Sequence, residues 1–149
     1  MKLGVRKIRY IHHTKVADYS YLPAGSSFTL NSFLLDTLSD LPFVPETAEI
    51  SENWPYDAEG KRSEFSLTAA LRAGKDSYRP ILQELTGRKY IFEVELISGV
   101  KYVIGSKEFL PTFTWTDGVS GISSSGFTFR IECKSLHGVL LDVPSVANL

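Results

Sequence analysis

The chain holds a single cysteine, Cys133, and three histidines among 149 residues. One thiol cannot close an internal disulfide, and there is no cysteine cluster for zinc or iron, so the core alone must hold the fold. Cys133 falls in phase with Phe127, Phe129 and Ile131 and reads as a small core residue. No apolar run approaches the roughly 18 to 20 residues that cross a bilayer as a helix, so no membrane partner is expected. The N-terminal MKLGVRKIRYIHH is positively charged but lacks the uninterrupted apolar stretch of a secretory signal, which makes the cytoplasm the expected place of synthesis. Also missing are the Gly-x-Ser-x-Gly elbow, the His-Glu-x-x-His pair and the dinucleotide fingerprint. Ser98-Gly99-Val100-Lys101 matches the Ser-x-x-Lys element of some acylating enzymes, but it occupies a turn rather than a helix, and a chain this rich in Ser and Lys yields such a match by chance. No catalytic residue, metal ligand or cofactor follows from the sequence, and the expectation is a protein that is not an enzyme.

What is present is 43% hydrophobic and 22% charged, the composition of a soluble globular protein. The length suits one domain, residues 1–149, able to bury about 70% of its extended surface. Net charge is only -1, yet the charges are segregated. Residues 1–15 hold Lys2, Arg6, Lys7, Arg9 and Lys15 and no acid, while residues 16–60 hold eight acids, Asp36 and Asp40 among them, and no Lys or Arg. Either these are solvated faces, or a basic edge and an acidic loop meet across a subunit boundary. Five charges with Tyr10 as the one stacking surface make a thin footprint for nucleic acid, which is not expected as a specific ligand.

Leu3 and Val5, then Ile8, Tyr10 and His12, alternate with basic residues and predict a strand with one wet face, its Lys and Arg blunting an exposed edge. His12 and His13, as neighbours in a strand, should point to opposite faces and not share a metal. Residues 17–45 form a long excursion punctuated by Tyr19, Tyr21, Pro23, Gly25 and two closing prolines. Within it Asn31 or Ser32 could cap a short helix running to about Ser39 that buries Phe33, Leu34, Leu38 and Leu41. The excursion is either a packed loop over the open end of a sheet or an arm that docks on a neighbour.

Thr47–Trp54 and Arg62–Arg72 read as the arms of a hairpin. Tyr78, Ile81, Leu82 and Leu85 recur at helical spacing after Ser77, with Gly87 where a left-handed cap is wanted. The centre of the chain is Arg88–Ser106, in which Tyr90, Phe92, Val94 and Leu96 alternate with Ile91, Glu93, Glu95 and Ile97, Ser98 and Gly99 turn, and Lys101–Ile104 resume. Glu93 and Glu95 share the face opposite the aromatic one, a geometry glycosidases use across strands, but on one strand they read as solvent-facing. Phe113 and Trp115 belong to the next strand and Phe127–Lys134 to another, with Thr128, Arg130, Glu132 and Lys134 facing water. Residues 139–149 form a tail that could add an edge strand.

This order predicts a mainly β fold of the α+β type, an antiparallel β-sandwich or partly closed barrel with one short helix and a long N-terminal excursion. The hairpin from Thr47 to Leu71, the helix ending in Leu85-Thr86-Gly87, the run GRKYIFEVELISGVKYVIGS and the strand GFTFRIECKS carry a resemblance. From about Thr47 to Lys134 the chain resembles the small β-rich structural proteins of tailed bacteriophages and prophages, especially tail-tube and neighbouring tail components. That resemblance implies homomeric rings or adaptors, other tail or virion proteins as partners, the virion as final location, and an excursion that grips a neighbouring subunit. The residues expected at such a contact are Arg6, Lys7, Arg9, Tyr19, Tyr21, Asp36 and Asp40. The alternative is a monomeric β-barrel that binds a small ligand among interior aromatics, Tyr90, Phe92, Phe113 and Phe129 among them.

Overall fold

Alternation decides where the long strands form. In the strand Ser63–Ala70 the side chains of Phe65, Leu67 and Ala69 are buried and those of Glu64, Ser66 and Thr68 are more exposed; in Gly126–Ser135, Phe129, Ile131 and Cys133 are buried while Thr128, Arg130, Glu132 and Lys134 face outward. The computed structural model describes residues 4–19, 27–43, 47–53, 56–57, 60–61, 63–71, 79–118, 126–135 and 140–142. In chain order the strands are β1 (Val5–His12), β2 (Ser27–Phe28), β3 (Ser39–Asp40), β4 (Glu49–Asn53), β5 (Tyr56–Asp57), β6 (Gly60–Lys61) and β7 (Ser63–Ala70). The helix α1 (Arg79–Gly87) follows, then β8 (Tyr90–Leu96), β9 (Lys101–Ile104), β10 (Thr112–Gly118), β11 (Gly126–Ser135) and β12 (Leu140–Asp142).

The strands form a six-stranded sheet, β2-β12-β9-β8-β1-β3, a four-stranded sheet, β10-β11-β7-β4, and the small ribbon β5-β6 between the arms of the β4-β7 hairpin. The fold is mainly β and sandwich-like. Pairing is antiparallel except where β12 meets β2. The main core lies between the two larger sheets: Val5 and Ile8 of β1, Phe92 and Val94 of β8, Leu67 of β7 and Ile131 of β11 are all essentially without exposure, and α1 adds Leu82 and Leu85. Phe92, Phe113 and Phe129 stack in series across this space, with ring centroids 6.1 and 5.5 Å apart. The sheets do not close into a barrel, and the aromatics considered as a ligand lining are packed on one another.

A second core lies on the other face of the six-stranded sheet. Ile11, Ile91 and Val103 point there, and the excursion covers them with Val16, Tyr19, Phe28 and Leu30. The expected helix from Asn31 or Ser32 to Ser39 does not form. Leu30–Phe33 is instead a single 3-10 turn, after which the chain runs beside residues 15–17, with Ala17 N–H bonding Phe33 O at 2.7 Å and Leu35 N–H bonding Lys15 O at 2.8 Å. An extended segment covers more of the flat apolar face than a two-turn helix would, and its backbone groups are satisfied by the neighbouring chain. Phe33, Leu34 and Leu38 become half-buried, Leu41 buried and Leu35 exposed.

Other details depart from the periodicity reading. β1 does not form an exposed edge along its length, because β3 pairs its far side at Arg9 and Tyr10. Gly87 closes α1 without a left-handed conformation; positive φ among the described residues belongs to Gly99, in the β8-β9 turn, and Gly105. β12 is one strand in from the edge, since β2 pairs beyond it. Ser77, Tyr78 and the 119–125 connector lie outside the described residues.

Gly105 has φ +94°, and a Cβ there would stand 2.5 Å from Pro111 Cδ, so Gly105→Ala should destabilise the fold by about 1–3 kcal/mol in urea unfolding. Burial pushes the Cys133 thiol up to about 12. A thiol reagent at pH 8 should therefore leave Cys133 unmodified until denaturant is added, and rapid stoichiometric labelling of the native protein would contradict this placement.

Candidate functional site

The charged residues singled out in the N-terminal third meet along the outer face of the six-stranded sheet, and a bulge in β1 puts them there. Opposite β8 the register runs Val5 to Leu96 and then Lys7 to Glu95, so Arg6 is an extra residue. The insertion lets Val5 and Ile8, three apart, both enter the main core and leaves Arg6 and Lys7 exposed.

Arg9 is the centre of the resulting network. Opposite Glu93 in the ladder, its Nη1 donates to Glu93 Oε1 at 2.7 Å; its Nε lies 3.4 Å from Asp40 Oδ1 and its Nη2 3.9 Å from Glu95 Oε1. Arg6 and Lys101 approach Glu95 from either side, at 3.4 and 3.9 Å. Glu93 and Glu95 are therefore not solvent-facing: their exposures are 3% and 8%. They sit where the polar half of the sheet face meets the half roofed by the excursion, and burial requires the cations beside them. The Arg9 guanidinium thus lies within reach of both carboxylates.

The seven residues expected at a subunit contact are thereby separated. Arg9 and Asp40 bond within the subunit. Tyr19 is a core residue, with no exposure, its hydroxyl donating to Gly105 O at 2.6 Å and its ring packed on Phe28 and Phe33; it cannot present itself to a partner. Tyr21 lies outside the described residues. Arg6, with 61% of its side chain exposed, and Lys7 remain on the surface, beside a groove of about 240 Å³ walled by Ile8, Leu41, Pro42 and Phe43. Asp36 is exposed, its Oδ1 accepting Thr37 N–H at 2.8 Å.

At the other end of β1 is an open cleft of about 510 Å³ between the excursion and the C-terminal turn of α1. Tyr90 and Tyr10 lie at its base, with Lys15, Asp36, Glu84 and Arg88 around it. Tyr90 donates to Glu84 Oε1 at 2.9 Å and receives Tyr10 and His12 edge-on. His12 Nδ1 lies 2.7 Å from Thr14 Oγ1 and 3.3 Å from Thr14 N. The His12 and His13 rings stack 4.7 Å apart instead of facing opposite ways, because the strand stops at His12 and His13 opens a 3-10 turn. Burial and the charges of His13, Arg88 and Lys15 lower the His12 pKa. The described residues bring no three metal-ligating side chains together. Glu84 and Arg88 went unnoticed in the sequence because only the packing of α1 against the start of β8 joins them to His12, which is remote in the chain.

Arg9→Met should cost about 2–4 kcal/mol in urea unfolding by stranding Glu93, below a fully buried pair because Arg9 keeps some water contact, whereas Arg6→Ala should cost no more than about 1 kcal/mol. Adding Glu93→Leu to Arg9→Met should recover most of the loss, and equal costs for the two single variants would contradict the network. Burial first, and then the hydrogen bond to Glu84, push the Tyr90 phenol from 10.0 up to about 12. The unfolded chain thus releases this proton earlier than the folded one, and stability should fall as pH climbs from about 10 towards about 12. Ultraviolet titration should show the late phenol ionising earlier in Glu84→Gln. Compared with protein-family models, curated proteins and solved structures, the chain matches none.

Proposed function

We propose that the protein is a structural component that self-associates, in the specific form of a phage or prophage tail protein whose partners are its own copies and other tail or virion proteins. The observation that carries the reading is the surface left over once the internal ion pairs are made. Lys7 stays exposed on the bulged half of β1, and Arg6, though paired with Glu95, keeps 61% of its side chain exposed, beside the groove walled by Asp40, Leu41, Pro42 and Phe43. A basic rim next to an apolar groove suits an acidic, partly apolar segment of a neighbour. The excursion supplies one in Leu35-Asp36, where Leu35 is 70% exposed and Asp36 is exposed beside it. The contact is heterologous, basic groove to acidic loop, which builds a ring where the rotation closes and a filament where it does not. Here the excursion acts with its core side fixed on its own sheet and its rim offered outward, rather than as an arm detached from it.

Light scattering of the purified protein over a wide concentration range should show species larger than the monomer. Lys7→Glu should weaken association by roughly tenfold, and Asp36→Lys in the same chain should restore part of it, as a charge swap across a contact does. A strictly monomeric wild type would count against the reading.

A further inference from the structure

Both sheets have ends, and these are unequally protected. In the six-stranded sheet the outermost strands, β2 and β3, are two residues long, too short to template another chain. In the four-stranded sheet β10 has α1 packed against it, whereas β4 pairs with β7 on one side and, among the described residues, ends the sheet on the other. β4 is five residues, Glu-Ile-Ser-Glu-Asn, in unbroken register with β7. It carries no Pro, Lys or bulge; of the devices that blunt an edge it has charge alone, in Glu49 and in Glu52 opposite Phe65. Glu49, Ser51, Glu52 and Asn53 are exposed and Ile50 is half-buried at the margin of the core.

We propose that β4 pairs edge to edge with β4 of a second copy, about a two-fold axis through Ser51, so that the two four-stranded sheets become one continuous sheet. Antiparallel pairing centred there uses all five residues. It sets Glu49 opposite Asn53 and Ile50 opposite Glu52, so each carboxylate meets a neutral side chain, and it extends the half-buried Ile50 surface across the axis. Centring the pair on Glu49 or Glu52 would oppose like charges. The register centred on Ser51 lets all five residues meet those of a second copy without opposing carboxylates, and two-fold closure ends the contact at a dimer. The choice of partner rests on the self-association proposed above and adds to it a second contact on the other sheet.

Across an antiparallel pair the two Ser51 Cα atoms would lie about 4.5–5.5 Å apart, within the reach of a disulfide. Ser51→Cys should therefore convert to a covalent dimer on mild oxidation, while Thr114→Cys, equally exposed on β10, should not; Cys133 is buried and does not compete. Ser51→Lys would place two ammonium groups face to face across the axis and should raise the dimer dissociation constant roughly tenfold in sedimentation velocity, with an unchanged circular dichroism spectrum. Cross-linking of both cysteine variants alike, of neither, or of Ser51→Cys to a different protein in place of itself would overturn the proposal. If Ser51→Lys leaves the mass unchanged while Lys7→Glu lowers it, edge pairing falls and the groove contact stands; a wild type that is monomeric at every concentration removes both.

Discussion

A strand buried on both faces must hide everything it carries, and β8 carries two carboxylates. All seven of its residues are buried. Tyr90, Phe92, Val94 and Leu96 meet the other sheet without difficulty, and Ile91 meets the excursion, but Glu93 and Glu95 need charge beside them. The Arg9 contact answers that need, and much of the N-terminal third is arranged to deliver it. The bulge at Arg6 sets the phase of β1, β3 brings Asp40 to the far side of the guanidinium, and the excursion between them roofs the apolar half of the same face. Deep ion pairs of this sort contribute little net stability compared with an apolar replacement, and their value here lies in register. A β1 slipped by one residue would send Arg9 into the main core and leave Glu93 without its partner.

How much of this was legible in the chain depended on how local the signal was. β7 and β11 show a clean period of two, and their buried residues are the ones that alternation picks out, whereas β8 alternates in sequence but is buried on both faces. α1 was equally plain from Ile81, Leu82 and Leu85. The excursion was misread because its leucines look helical in isolation, while the face they cover belongs to strands built from residues 91 and 103. Glu93 and Glu95 read as solvent-facing for a related reason: alternation identifies two faces of a strand but not whether the second face is covered. The step of three from Val5 to Ile8 was visible as a break in phase, and only the β8 partner shows it to be a bulge.

The candidate site followed the same division. Segregation of charge along the chain points to Arg9 and Asp40, which pair within the subunit, and composition cannot tell complementarity within a subunit from complementarity between two. Part of the attraction is satisfied at home, with Arg9 drawn toward Glu93, while Arg6, Lys7, Asp36 and Asp40 keep exposed side chains. Tyr19 illustrates the opposite error, an aromatic in an irregular segment that looked available and proved to be the centre of the second core. The cleft at the end of β1 had no linear signature, since α1 and β1 contribute to it from sites far apart in the chain.

The Arg9–Glu93 bond joins residues 84 positions apart, and the whole of β1 pairs with β8 across a similar span. During synthesis at the ribosome the first strand and the excursion emerge long before the sheet they belong to exists. For that interval a basic segment and an apolar one travel together without a template, and the two cores can be closed only after the β8-β9 hairpin has formed. Such a topology has high contact order, the kind that folds slowly.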